Sequence, residues 1–216
     1  MLELGNVFIL GDSYSTFKGH IPEGYHPYYS SDSEGGDVDS VEKTWWHQLV
    51  SENNAVLLMN NSWSGTTVCH TGYNGEDRND NSFVARTDKL ISEGYFKKNK
   101  IDTFLLFGGT NDSWADSPLG EIMYEGWQEK DLYNVLPAFC YLIHTLKKNL
   151  PDTRIVCIIN SELKKEITEG FFEVCRKNNV DCVLLGNIDK VDGHPTFKGM
   201  TEIKEAVAVC LAGETK

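Results

Sequence analysis

The chain has 216 residues, 40% of them hydrophobic and 11% aromatic, which is enough for one domain with a sizeable core and unlike a disordered chain. Its net charge of −12, from 20 basic and 32 acidic residues, disfavours nucleic acid and anionic membrane surfaces, both of which need a positive footprint. A small neutral or cationic substrate fits that balance better.

The first apolar run, Asn6-Val7-Phe8-Ile9-Leu10, reads as a strand buried on both faces, and it ends in Gly11-Asp12-Ser13. The glycine is expected to make a turn of unusual φ there and to let backbone groups approach a ligand. Residues 16–44 form a long segment of little periodicity, rich in Gly, Ser, Asp and aromatics, including Tyr25, Tyr28 and Tyr29 and the acidic stretch 30–40. A loop of that length in a compact domain is functional or disordered, and its tyrosines argue for order.

A helix is expected over residues 45–52 and a second strand over 55–59, followed by Ser62-Trp63-Ser64-Gly65. Residues 69–82 read as a loop and 84–91 as a modest helix. The third strand, 102–107, closes in Gly108-Gly109-Thr110-Asn111-Asp112, and a second long connection carries Trp114, Tyr124 and Trp127. Apolar residues at helical spacing predict one helix over most of 131–149, with Pro137 in its first turns or kinking it. The fourth strand spans 154–159, and Ser161 is a candidate N-cap for the next helix. The fifth spans 180–185, followed by Asp192-Gly193-His194-Pro195 and a last helix.

Strands alternating with helices predict an α/β fold: a three-layer, doubly wound, flavodoxin-like domain over residues 1–216 with a five-stranded parallel sheet. Ser13, Gly65, Asn111 and His194 then all follow strands and share the carboxyl edge, where ligands bind. Acyl transfer needs that set of parts. Ser13 would attack a carbonyl, His194 would take and return its proton, and the N–H groups of Ser13 and Gly65 with the Asn111 amide would meet the oxyanion.

These blocks resemble those of the SGNH hydrolases, the GDSL-like lipase/esterase superfamily. The serine block matches Gly11-Asp12-Ser13, the glycine block Gly65, the G-x-N-D block Gly109-Thr110-Asn111-Asp112, and the last block His194-Pro195 with Gly199 after it. They occur in family order and cover nearly the whole chain. The resemblance implies Ser13 as nucleophile, His194 as base, and Ser13, Gly65 and Asn111 as the oxyanion hole. One departure concerns the triad acid, usually three residues before the histidine, where Val191 stands here. Asp192, Asp189 or a main-chain carbonyl are the candidates for orienting His194.

His20 and His26 match no zinc spacing, Cys140 and His144 read as a buried thiol with an edge histidine, and no phosphate-binding glycine motif occurs. No metal and no cofactor are implied. Six scattered cysteines without CxxC spacing suggest free thiols, and no apolar span reaches 18 residues. With Met1 as the native start a cytoplasmic protein is expected; removal of a signal peptide would make it secreted or periplasmic.

The expected function is a metal-independent serine esterase acting on a small-molecule ester. It would hydrolyse short acyl groups, acetyl above all, on a carbohydrate or polyol through an acyl-enzyme on Ser13. Tyr25, Tyr28 and Trp114 are candidate substrate walls, with Tyr29, Tyr124 and Trp127 grouped near them. The alternatives are a lipase or thioesterase-type acylhydrolase of the same fold, and a carbohydrate-binding protein with impaired catalysis.

Overall fold

The structure, a computed structural model, describes residues 1–32 and 36–213. Residues 33–35, inside the acidic stretch 30–40, and residues 214–216, at the end of the expected 1–216 domain, lie outside the described residues. Among the described residues the main elements are β1 (Asn6–Gly11), α1 (Trp45–Glu52), β2 (Val56–Ser62), α2 (Phe83–Ser92), α3 (Tyr95–Lys98) and β3 (Thr103–Phe107). They continue with α4 (Thr110–Trp114), α5 (Val135–Asn149), β4 (Arg154–Ile159), α6 (Lys165–Lys177), β5 (Asp181–Leu184), β6 (Lys190–Val191), β7 (His194–Pro195) and α7 (Phe197–Leu211).

The first five strands form one parallel sheet in the order β2-β1-β3-β4-β5, the flavodoxin-like order. Alternate residues of the strands feed two separate cores, as a period of two demands. Phe8, Leu10, Phe104, Leu106, Ile155 and Cys157 face α2, α3, α5 and α6. Val7, Ile9, Leu105, Phe107, Val156 and Ile158 face α1 and α7. The step from β1 to β2 runs opposite to every later step along the sheet, so right-handed crossovers put α1 on one face and the later connections on the other. That reversal leaves a crevice at the carboxyl ends of β1 and β3.

Several boundaries differ from the sequence reading. The helix expected over 131–149 starts at Val135, because Asn134 is extended (φ −112°, ψ 142°) after a short 3-10 turn, Glu129–Tyr133. Pro137 lies in the first turn, where a missing N–H costs no internal bond. Ser161 is not an N-cap: α6 begins at Lys165, and the Ser161 hydroxyl accepts a hydrogen bond from Lys190 instead. The second strand runs on to Ser62, carrying Asn60, Asn61 and Ser62 into the interior.

Two short strands escaped the sequence reading altogether. Val191 pairs with His194 across a two-residue turn, with Asp192 at φ 50° and Gly193 at φ 77°. Positive φ at both central positions is the type I′ geometry that Asp-Gly favours. The turn presents His194 at the sheet edge.

All six cysteines are free thiols. No helix among the described residues is long and apolar enough to cross a membrane.

Candidate active site

Gly11 is small for a reason of space rather than backbone angle. A Cβ there would lie 2.5 Å from Ser62 Oγ and 2.8 Å from Ser15 Cβ, so the strand end would be forced away from β2. After it, Asp12 caps a single 3-10 turn, Ser13–Ser15, by accepting from the Tyr14 N–H at 3.1 Å. The turn holds Ser13 at the end of β1. Gly65 is the opposite case: nothing would obstruct a Cβ, but its φ of +78° lies in the left-handed region that other residues avoid.

The structure brings Ser13 and His194, 181 residues apart, into contact: His194 Nε2 lies 3.1 Å from Ser13 Oγ. The other ring nitrogen, Nδ1, lies 3.2 Å from the Asp192 main-chain oxygen. A carbonyl can only accept, so Nδ1 carries the proton and Nε2 offers its lone pair to the Ser13 hydroxyl. Burial holds the imidazole pKa below 6.5, opposed by the Asp192 carbonyl and carboxylate and assisted by the nearby Lys190 ammonium. At neutral pH the ring is therefore uncharged and able to act as a base.

Of the three candidates for orienting His194, the one that meets the ring is a main-chain carbonyl, that of Asp192, and not the Asp192 carboxylate. The Asp192 side chain is exposed at the corner of the hairpin and makes no hydrogen bond to His194 among the described residues. Positive φ at the turn explains the difference, since it points the main chain, and not the side chain, at the ring. Asp189 is engaged elsewhere, because its carboxylate accepts from Thr196 Oγ1 and its carbonyl from the Thr196 N–H.

Asn111 lies on α4, just past β3. Its Oδ1 accepts from Tyr73 Oη at 2.8 Å, and one Nδ2 hydrogen goes to the Thr66 carbonyl at 3.0 Å. The second amide hydrogen has no partner among the described residues, and neither do the N–H groups of Ser13 and Gly65. The loop carrying Gly65 is tied to both neighbouring blocks: Trp63 N–H donates to the Gly11 carbonyl at 3.1 Å, and Asp112 accepts from the N–H groups of Val68 and Cys69 at 2.8–3.1 Å.

Arg86 completes this assembly, and the sequence reading missed it. It is only 1% exposed, yet its five N–H donors reach Asn81 O, Asn61 O, Asn61 Oδ1, Gly11 O and Thr66 Oγ1. One guanidinium thus pins the ends of β1 and β2 and the loop beyond Gly65. Burial lowers its pKa to about 10, while burial raises Asp12 to about 7 and Asp112 to about 6. An arginine on a helix with an otherwise ordinary apolar stripe gives no sequence signal that it turns inward.

The expected aromatic walls divide. Tyr28 and Trp114 do reach the site, but they contact His194: Tyr28 stacks on the imidazole with centroids 3.5 Å apart, and Trp114 meets it edge-on at 5.7 Å. Tyr29 donates its hydroxyl to the Pro195 carbonyl at 2.8 Å, and Tyr14 donates to the Gly193 carbonyl. Tyr28 and Tyr29 of the first long loop are therefore packed against the histidine hairpin. Tyr25 stacks on Trp63, beside Gly65, with centroids 4.2 Å apart. Tyr124 and Trp127 lie elsewhere: Trp127 packs on Tyr141 and His144 of α5, and Tyr124 lies beneath Lys177 of α6. Among the described residues no group of three or more His, Cys, Asp or Glu is arranged to hold a metal ion.

The family model of GDSL-like lipases and acylhydrolases matches residues 5–211. The chain belongs to that family. Two solved structures named as GDSL-like lipases are similar over their full length. One, from Bacteroides ovatus, is 43% identical with a TM-score of 0.91 and covers 98% of this chain and 99% of its own. The other, from Bacteroides uniformis, is 43% identical with a TM-score of 0.89, covering 97% and 96%. An acetyl xylan esterase from Butyrivibrio proteoclasticus shares the fold at 17% identity and a TM-score of 0.61, covering 97% of this chain and 64% of its own. No curated protein matches the chain.

Proposed function

We propose that this protein is a serine esterase that removes short acyl groups, acetyl in particular, from a carbohydrate or similar polyol. The observation that carries the reading is the 3.1 Å contact between His194 Nε2 and Ser13 Oγ, with Nδ1 already committed to a carbonyl. Nucleophile and base are then both present, and no metal is needed to activate either.

Ser13 Oγ attacks the ester carbonyl as His194 Nε2 takes its proton. The oxyanion of the tetrahedral intermediate receives hydrogen bonds from the N–H groups of Ser13 and Gly65 and the spare Asn111 N–H. The imidazolium gives its proton to the leaving alkoxide, which departs as the alcohol and leaves an acyl-enzyme on Ser13. A water then takes the alcohol's place: His194 removes its proton, the hydroxide attacks the acyl carbon, and carboxylic acid is released with Ser13 reprotonated.

The substrate class rests on two supports. Family membership makes the chain an acylhydrolase, and a protein of the same fold acts as an acetyl xylan esterase. The surface beside the site is aromatic: Tyr28 and Trp114 remain 42% and 43% exposed, and Tyr25 and Trp63 form a stacked pair next to Gly65. Flat apolar faces with polar edges suit sugar rings.

The test is a series of p-nitrophenyl esters from acetyl to long acyl chains, followed by acetylated oligosaccharides. We expect kcat/KM to be highest for acetyl and Ser13→Ala to abolish turnover. A preference for long chains would make the protein a lipase-type acylhydrolase, and an unchanged rate in Ser13→Ala would refute the mechanism.

A further inference from the structure

Among the described residues no carboxylate is hydrogen-bonded to His194, but aromatic rings surround it. Tyr28 lies flat on one face of the imidazole, with centroids 3.5 Å apart and planes inclined by 8°. Tyr14, from the 3-10 turn that follows β1, approaches at 5.5 Å and 55°, and Trp114, from α4, presents its ring at 5.7 Å and 71°. Tyr28 is built into this position. Its N–H donates to Thr16 Oγ1 at 2.8 Å, and its ring packs edge-on at 4.9 Å against Tyr29, whose hydroxyl is bound to the Pro195 carbonyl.

The electrostatics of a stacked pair change during the reaction. The face of a phenol ring carries negative quadrupole density, which attracts a cation placed over it. Before attack the imidazole is neutral and the attraction is weak. Once Nε2 has taken the Ser13 proton the ring is a cation, and the attraction is at its strongest as the tetrahedral intermediate forms. An interaction that strengthens between ground state and transition state accelerates the chemical step.

We propose that Tyr28 is a positioning residue that stabilises the His194 imidazolium, taking over part of the task that a carboxylate performs in a triad. The inference rests on the Ser13–His194 reading above and adds a role for the residue stacked behind the base. Among the described residues two charged groups act on the imidazole, both from the hairpin: the Asp192 carboxylate favours its cation and the Lys190 ammonium opposes it. The Tyr14 and Tyr28 phenols, both held above their ordinary pKa by burial, stay neutral throughout the working range. Changing Tyr28 leaves both charged groups in place. Its hydroxyl makes no hydrogen bond among the described residues, so the ring alone carries the effect.

The experiment compares Tyr28→Leu and Tyr28→Phe. Leucine still covers the imidazole but has no π face; phenylalanine keeps the face and loses only the hydroxyl. The readouts are kcat and KM on p-nitrophenyl acetate, and the His194 titration followed by NMR in a Ser13→Ala background, assigned by its absence in His194→Asn. We expect Tyr28→Leu to lower kcat about tenfold and the His194 pKa by about one unit, with KM changed less than about twofold. Tyr28→Phe should recover most of what Tyr28→Leu loses in both. The proposal is overturned if the His194 pKa in Tyr28→Leu is unmoved, if only KM changes, or if Tyr28→Phe loses as much as Tyr28→Leu. The titration needs no turnover, so it remains readable even if the esterase assignment fails.

Discussion

Replacing Asp192 with asparagine separates a dyad steadied by the main chain from a triad. The hairpin should accept the change, because Asn-Gly is the sequence most at home in a type I′ turn and Asp192 already sits at φ 50°. The 3.2 Å contact between His194 Nδ1 and the residue-192 carbonyl involves no side-chain atom and survives the substitution. What disappears is the Coulombic support that the exposed carboxylate lends to the imidazolium. Exposed charge pairs contribute about 0–1 kcal/mol, so kcat/KM should fall no more than about fivefold. Loss of an orienting triad carboxylate costs about 10⁴-fold in the serine-protease template. The assay is kcat/KM on p-nitrophenyl acetate at pH 8, with circular dichroism and Tm to verify folding. A folded Asp192→Asn variant slower by 10³-fold or more would refute the carbonyl assignment.

Asn111→Ala should lower kcat by about 10²–10³ with little change in KM, the signature of a donor that acts on the oxyanion alone. Arg86→Lys should cost about 2–6 kcal/mol in urea-induced unfolding, since an ammonium has three donors for the five acceptors the guanidinium now serves and leaves two buried oxygens unpaired at about 1–3 kcal/mol each. A loss below 1 kcal/mol would mean that the loops hold themselves. The acid limb of kcat/KM should have its midpoint below 6.5, because His194 is a base only when neutral and burial keeps its pKa low. Asp12, with its carboxyl raised from 3.8 to about 7, binds its proton more tightly folded than unfolded. Its contribution to stability is complete below about pH 4 and is lost as pH rises towards 7, so Asp12→Asn should gain Tm relative to wild type between pH 5 and pH 8.

The sheet and its longer helices were legible in the sequence because their apolar runs are long enough to show a period, whereas the short α3 and α4 were not. The strands of the histidine hairpin were not legible either, since two residues apiece show no alternation; Asp192-Gly193 was the signal, and it reads as a hairpin turn only once the pairing of Val191 with His194 is known. The meeting of Ser13 with His194 follows from topology, because both lie after strands on one edge of a parallel sheet. What holds His194 stayed open among three candidates for a different reason. A main-chain carbonyl has no residue type, so a search for acidic side chains near the histidine finds Asp192 without revealing which of its oxygens faces the ring. Arg86 was hidden by burial against expectation, and Tyr28 by a plausible second use for an exposed aromatic.

The most direct test of the central claim, that His194 activates Ser13 as a nucleophile, is intact-mass analysis after exposure to a fluorophosphonate. A single adduct is expected, mapped to Ser13, absent in Ser13→Ala and formed far more slowly in His194→Ala. Labelling at another residue, or equal labelling with and without the His194 imidazole, would contradict the claim.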